Sequence, residues 1–524
     1  MGSPWGDEVI TGRYAGHSGL VYRQRPRTFA ELLDGVGRWA HRTFLVQGER
    51  RISFAEFFTA VRSARDALGP LGIRHGDRVL LLGYNSPEWV LTLWAIWSLG
   101  AVPVLGNRWW SAPEAAHCLA TVAPRAVLTD APHLIAATDL PVLHLSDITG
   151  CFGAEESGEP DVPGPAGEED PAVILFTSGS TGMPKAVELP FRSVVANQQN
   201  VLARSRQLPQ LIPAEGPQPV NLISTPLFHI GAFATLITQT ITGGRIVFST
   251  GRFDPEQVLA LIAAERVQRW GAVPTMAARL LEHPAFDSYD LSSLRSFPLG
   301  GAPVPPVLLE RLARRIPQLQ GRGMVNMWGM TEGGGFFTVA TGADLQRFPK
   351  TVGRALPTVE LRIDGADADG KGEIVVRSPT VMLGYAGIDD GTIDSDGWLR
   401  TGDVGHLNDE GYLFIDGRSK DMVIRGGENI ACPHVEAALM RHPDVVEAAA
   451  IGLPHPDLGE ELAAAVVYRA GGRAPTEAEL EAHMRAEVAY FAVPTRWSIR
   501  DEPLPTVGTE KVDKRRLATE FTTG

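Results

Sequence analysis

Over its first 250 residues the chain alternates short apolar runs with longer stretches of helical period. "DRVLLLGYN" is strand-like, "PEWVLTLWAIWSLG" helical, "AVPVLGN" strand-like, "SAPEAAHCLATVAP" helical and "RAVLTD" strand-like. That rhythm predicts βαβ units around a mostly parallel sheet. It resumes between 220 and 335 with "VNLIST", a helix from about 232, "GRIVFST", a helix in "DPEQVLALIAAERV", and "SLRSFPLGGAP". Near 355 the pattern changes to short strands with frequent turns, "VELRIDG", "GEIVVRS" and "GYLFIDG". After Gly417 a compact α+β pattern follows, with helices near 433–440 and 476–490 and a strand at "AAAVVYRA". The expected fold is α/β. A large N-terminal domain over 1–416 carries two βαβ-type sheets and a small β subdomain, and a small α+β domain occupies 417–524. Residues 151–170, acidic and rich in Gly and Pro, read as an exposed connector.

One uncharged stretch, residues 89–106, resembles a membrane span. Ser86 and Pro87 before it read as N-cap and first helical position, and Gly100 as the stop. The helix left between them has about three to four turns, too short to cross a ~30 Å hydrocarbon layer. A length of 524 residues calls for at least two cores. The net charge of −13 argues against nucleic acid as a partner. Cys118, Cys151 and Cys432 share no metal-like spacing and suit a reducing cytoplasm. The start, "MGSPWGDEVI", lacks the basic and apolar segments of a secretory leader.

"ILFTSGSTGMPKAVEL", residues 174–189, sets two glycines, four hydroxyl side chains and a lysine between apolar runs. Thr177, Ser178, Ser180 and Thr181 offer hydroxyl donors, and Gly179 and Gly182 let backbone N–H groups approach phosphate oxygens. It is not a Walker loop, because Pro184 precedes Lys185 and Ala186 follows it. Lysine is scarce, occurring only at 185, 350, 371, 420, 511 and 514. Each is therefore a candidate for work that needs a compact ammonium donor. Four further stretches accompany the loop: "PLFHIGAF" (226–233), "NMWGMTEGG" (326–334), "GWLRTGDVG" (397–405) with "GRSKDMVIRGGENI" (417–430), and "LPTVGTEKVDKRRL" (504–517).

In order and spacing these five stretches resemble the adenylate-forming superfamily, which includes acyl-CoA synthetases, acyl adenylation enzymes and luciferase. The resemblance runs from about Phe54 to Leu517. It implies that a carboxylate attacks the α-phosphate of ATP, expelling pyrophosphate, and that a thiol then attacks the acyl-AMP. Such transfer is mostly positioning and charge neutralisation.

The resemblance also implies roles. The loop Thr177 to Gly182 holds the β- and γ-phosphates, with Lys185 as supporting cation. Trp328 takes the position that stacks on adenine, where Tyr is commoner, and Gly300, Gly301, Ala302 and Pro303 pack along the base. Thr331 contacts the α-phosphate, and Glu332 is the carboxylate for Mg²⁺, a hard cation that suits oxygen ligands. Asp403 accepts the ribose hydroxyls, and Arg418 reaches ribose or phosphate. Lys511 reaches the α-phosphate and the carboxylate. The residue before it is usually Gly; here Glu510 either alters the charge around Lys511 or faces solvent. Lys420 is the hinge about which a mobile C-terminal domain turns, and Gly426 and Gly427 line the pantetheine tunnel of coenzyme A.

His229 holds the gate position of the acyl pocket. Peptide-synthetase domains carry an aspartate there for the substrate's ammonium, which disfavours an α-amino acid. Gly329 stands where acetate-specific relatives close the pocket with tryptophan, and Phe233, Leu236 and Ile237 are apolar. Met327 would shorten or bend the slot. The expectation is an acid–CoA ligase (AMP-forming) for an apolar acid, a medium- or long-chain fatty acid. The alternatives are an acyl-AMP ligase loading an acyl carrier protein, then a non-catalytic scaffold.

Overall fold

The computed structural model describes residues 3–523 apart from 136–137, 155–163, 165–166, 179–182, 322, 419–421, 426–427 and 470, with Ser178 and Asn429 described in backbone alone. Strand Arg78–Leu82 is followed by helix Pro87–Ser98 and strand Val102–Gly106, which pairs parallel with the first. Ser86 caps the helix by accepting from the Trp89 N–H at 3.1 Å, and Pro87 opens it. Gly100 ends the turn at φ +69°, a conformation glycine adopts without a Cβ penalty. Every residue of this helix is buried, as the absence of a polar face demands. Among the described residues no helix is long and apolar enough to cross a membrane.

The unit extends into a seven-stranded sheet in the order Gly384–Tyr385, Pro184–Pro190, Pro171–Ser178, Val102–Gly106, Arg78–Leu82, Ala126–Thr129 and Val142–His144. Pairing is parallel from Pro171–Ser178 to Val142–His144. The hairpin of Pro171–Ser178 with Pro184–Pro190 is antiparallel. A second sheet runs Arg269–Trp270, Val220–Ile223, Arg245–Phe248, Thr43–Gln47 and Arg50–Ser53. Both contribute to one apolar core. The acidic connector is exposed at Gly153, Ala154 and Glu169, as expected, but is tied down elsewhere. Gly164 is buried with its N–H on the Trp97 carbonyl, and Glu168 and Glu169 pair with Arg25 and Arg192.

An eight-stranded sheet carries the segments that matter most. Phe297–Gly300, Met324–Met330, Gly335–Thr341 and Thr351–Ala355 lead to Leu413–Arg418, Leu399–Leu407, Gly372–Arg377 and Glu360–Asp364. The next strand, Met422–Arg425, belongs to a separate five-stranded sheet with Glu428–Ala431, Gly459–Tyr468, Val445–His455 and Arg496–Arg500. Helices Cys432–Leu439, Glu477–Glu487 and Lys514–Thr523 complete this smaller α+β domain around its own apolar clusters.

Trp97 anchors the strand that leads into the glycine loop. Its ring lies 4.7 Å from Phe29, 5.0 Å from Trp94 and 6.0 Å from Phe233, and its indole N–H donates to the Ala172 carbonyl at 2.7 Å. Trp97→Ala removes this packing and leaves the carbonyl without its donor, so a loss of about 3–5 kcal/mol is expected as a lowered urea midpoint. An unchanged midpoint would show that the core collapses around the gap.

Candidate active site

Strand Pro171–Ser178 ends where the glycine loop begins, and Gly179, Ser180, Thr181 and Gly182 lie outside the described residues. The strand returns as Pro184–Pro190 with Lys185 opposite Thr177. Thr177 Oγ1 donates to Glu332 Oε1 at 3.4 Å, and the Tyr385 hydroxyl donates to the same oxygen at 2.8 Å. Burial, reinforced by the nearby Glu332 carboxylate, pushes the Tyr385 phenol far up, so it stays a neutral donor. Lys185 Nζ sits 2.7 Å from Asp390 Oδ2 and 4.4 Å from the centre of the Tyr385 ring. Tyr385 and Asp390 were not anticipated from sequence. Both come from a segment some 200 residues downstream that folds back as an edge strand, a contact that no local period announces.

Glu332 is 7% exposed, in the short turn Thr331–Gly333 that ends strand Met324–Met330. On that strand Trp328 is buried against Phe337, and its indole N–H donates to Asp403 Oδ2 at 2.8 Å. Asp403 is only 3% exposed, and its other oxygen accepts from Arg418 Nε at 2.7 Å. The two residues face each other directly across antiparallel strands. The expected adenine-stacking and ribose-binding side chains are thus joined into one hydrogen-bonded unit. Gly300 lies opposite Met327 on the parallel neighbour, where a Cβ would come within 2.9 Å of the Met327 carbonyl. Gly301, at φ +77°, has Lys511 Cε 3.5 Å and Nζ 3.8 Å from the position a Cβ would take.

Lys511 belongs to the smaller domain, on the turn closed by Val507 N–H to the Lys511 carbonyl at 2.9 Å. Burial draws its ammonium down to about 8. Arg418 adds to the shift, while Glu332 and Asp403 oppose it. His229 precedes helix Ile230–Thr242, and its Nε2 is shut off from solvent with no hydrogen-bond partner among the described residues. Burial, then the Lys511 charge, lowers its pKa to about 3, so the imidazole is neutral at physiological pH. Around Lys511 the structure thus brings His229, Gly301, Glu332, Asp403 and Arg418, with Thr177 and, through Tyr385, Lys185 joined to Glu332, Trp328 joined to Asp403, and Thr331 next to Glu332 in the chain. Lys420, Gly426 and Gly427 lie outside the described residues.

Two expectations about the acyl slot need correction. Gly329 is not simply a missing side chain: at the register shift between Trp328 and Gly329 a Cβ would lie 1.9 Å from the Gly335 carbonyl of the paired antiparallel strand, so the backbone here admits none. Phe233, Leu236 and Ile237 do not wall the slot; they are 2% exposed or less and pack into the main core. The half-exposed residues of the helix are Ile230 at its start and then Gly231, Thr235 and Thr238, spaced for one helical face. The helix packs against the strand carrying half-exposed Phe336 and Val339. Thr238 donates to Gln198 on helix Phe191–Ser205. The neighbouring Asn197, 1% exposed, abuts Gly335 with both amide atoms unpartnered among the described residues. The face this helix leaves half-exposed therefore carries two threonines rather than Phe233, Leu236 and Ile237.

Among the described residues no group of three or more His, Cys, Asp or Glu side chains could hold a metal by itself. Glu332 nevertheless fits Mg²⁺: it is a buried hard-oxygen donor beside a threonine hydroxyl, suited to a cation that takes most of its ligands from phosphate and water.

The AMP-binding enzyme family profile matches residues 33–386, and the AMP-binding enzyme C-terminal domain profile matches 434–511. A feruloyl-CoA synthase of Amycolatopsis sp is 34% identical over 93% of this chain and 99% of its own length. A long-chain fatty acid–CoA ligase of Mycobacterium tuberculosis is 32% identical over 90% and 93%. The o-succinylbenzoate CoA synthetase of Bacillus subtilis, solved with its acyl-adenylate intermediate, superposes with a TM-score of 0.78 at 27% identity over 93% and 97%. With both domain profiles matched in order and full-length CoA ligases among its relatives, the chain belongs to the AMP-binding, adenylate-forming family and is an acyl-CoA ligase.

Proposed function

We propose that this ligase activates a ring-bearing carboxylic acid with a polar substituent, using Lys511 in the first of two half-reactions. The observation that carries the reading is the ammonium of Lys511, brought from the smaller domain to Gly301 and held in the field of Glu332 and Asp403. A carboxylate oxygen of the acid attacks the α-phosphorus of ATP while the bond to the bridging oxygen breaks and pyrophosphate leaves. Lys511 neutralises charge on the oxygens in flight, and Thr331 orients the α-phosphate. The glycine loop and Lys185 hold the β- and γ-phosphates, and Trp328, Gly300, Ala302 and Pro303 take the base. Asp403 and Arg418 take the ribose. Bound Mg²⁺ would offset phosphate charge, held by Glu332 with Thr177. The sulfur of coenzyme A then attacks the acyl carbon and AMP leaves, after the domain beyond 416 turns about Lys420 to bring Gly426 and Gly427 to the tunnel. The arrangement of cysteines suits a reducing cytoplasm.

The substrate class rests on Asn197, Gln198, Thr235 and Thr238 beyond the neutral His229, and on the feruloyl-CoA synthase at 34% identity. A buried unpaired amide favours a substrate that supplies its partner. A medium- or long-chain fatty acid is the second reading, favoured by the fatty-acid ligase at 32% identity and by Phe336 and Val339 on the facing strand.

Lys511→Ala should abolish acid-dependent pyrophosphate release yet still convert supplied acyl-AMP and coenzyme A to thioester. Normal pyrophosphate release by this variant would sink the assignment. The lowered lysine pKa gives a pH dependence: its ammonium is present below about 8 and lost above it. The kcat/KM for ATP should therefore fall as pH rises through about 8 in the free enzyme, and the fall in kcat should come later because bound ATP favours the ammonium. A kcat/KM flat to pH 9.5 would contradict this. In a panel of hydroxyaryl acids and straight-chain acids, the wild type should prefer the hydroxyaryl set. Asn197→Leu should shrink that preference about tenfold, since an unmet buried polar group is worth roughly 1–3 kcal/mol. A wild type whose kcat/KM climbs steadily from octanoate to palmitate would favour the second reading.

A further inference from the structure

Glu510 occupies a backbone conformation that its side chain resists. Its φ of +58° is left-handed, and unlike Ala123, Arg206 and Arg266 it does not cap a helix. It is the last residue of the turn Val507–Glu510, closed by Glu510 N–H to the Val507 carbonyl at 2.8 Å. A turn of this kind usually places glycine at that point. Here the next residue is Lys511, so whatever holds Glu510 also aims the lysine.

The hold comes from the other domain. Arg279, on helix Pro274–Glu282, donates through Nη1 to Glu510 Oε2 at 3.2 Å. Its Nε donates to Glu447 Oε1 at 2.9 Å, and its Nη2 to the Leu504 carbonyl at 3.0 Å. Thr275 on the same helix donates to the Glu510 carbonyl at 2.7 Å. From its own turn, Thr506 Oγ1 donates to Glu510 Oε2 at 3.2 Å. Glu510 therefore neither faces solvent nor acts on Lys511 as a free charge.

We infer that Arg279 is a positioning residue for Lys511, gripping Glu510 across the domain boundary so that the strained turn presents the lysine at Gly301 for acyl-AMP formation. The inference rests on the reading of Lys511 as the cation of the first half-reaction. A planar guanidinium bound to two carboxylates and a carbonyl fixes direction as well as distance, which an ammonium cannot do.

The test uses the full-length enzyme and the two half-reactions measured separately, pyrophosphate exchange and conversion of supplied acyl-AMP with coenzyme A. Glu510→Gln keeps the Arg279–Glu447 pair and so preserves the fold while removing the charge. It should lower kcat of exchange about tenfold, because small misplacements of a catalytic group are costly. The KM for ATP and the rate from supplied acyl-AMP should stay within about twofold to threefold. Arg279→Gln should lose at least as much, and Arg279→Lys should recover part of it. Equal losses in both half-reactions for Glu510→Gln, or no loss in exchange, would overturn the inference. A Lys511→Ala control separates the two ideas. If that control keeps exchange, the lysine reading fails; if it loses exchange while Glu510→Gln does not, the positioning role alone fails.

Discussion

A lysine ammonium carried by one domain has to be brought into the field of carboxylates of another, in a place where burial works against its charge. Desolvation disfavours an ammonium whatever its partners, and Lys511 is drawn down to about 8 even with Glu332 and Asp403 in reach. Electrostatic attraction alone therefore does not hold it there. Its position is imposed through the backbone, by a turn whose last residue is pinned from the opposite domain. Much else in the cleft serves that placement. Gly301 has no side chain to obstruct the lysine, and Glu332 and Asp403 are fixed by tyrosine, tryptophan and arginine donors before any nucleotide arrives.

Fixing charges in advance is the economy of such a site. Preorganised donors and carboxylates do not need to reorient as charge develops on a transferring group, and in a poorly hydrated cleft they act more strongly than in water. Asp403 shows the principle. One oxygen is tied to Trp328 and the other to Arg418, so the side chains proposed to face the nucleoside hold a common geometry. Glu332 is tied through Tyr385 to the edge strand that pairs with the strand carrying Lys185. The elements proposed for phosphate, base and ribose are thus mechanically connected, although they come from two sheets.

The region proposed to take the acyl group is built differently. His229 is neutral and its Nε2 has no partner among the described residues, and the helix after it leaves Thr235 and Thr238 half-exposed while Phe233, Leu236 and Ile237 sink into the core. A helical face is selected by the neighbours it packs against, so the order of residues after His229 does not say which of them meets substrate. The approach of the Gly335 carbonyl to Gly329 has the same character, since only the strand pairing shows that no side chain fits there.

Much was determined by the amino-acid sequence alone. The apolar periods, the Ser86–Pro87 cap and the Gly100 stop act within a few residues, so helix Pro87–Ser98 and its flanking strands were legible, as were the α/β class and the separate C-terminal pattern. The motifs around Thr177, Glu332, Asp403 and Lys511 were legible as chemistry because each concentrates suitable groups in one short stretch. Only the tertiary structure decided what these groups touch. Trp328 and Asp403 are 75 residues apart, and Arg279 and Glu510 are 231 apart. Such pairs are set by how sheets and domains pack, through burial and charge acting across space, and no local period carries that information. The departure at Glu510 was visible as a missing glycine, but its purpose lay in an arginine on the far domain.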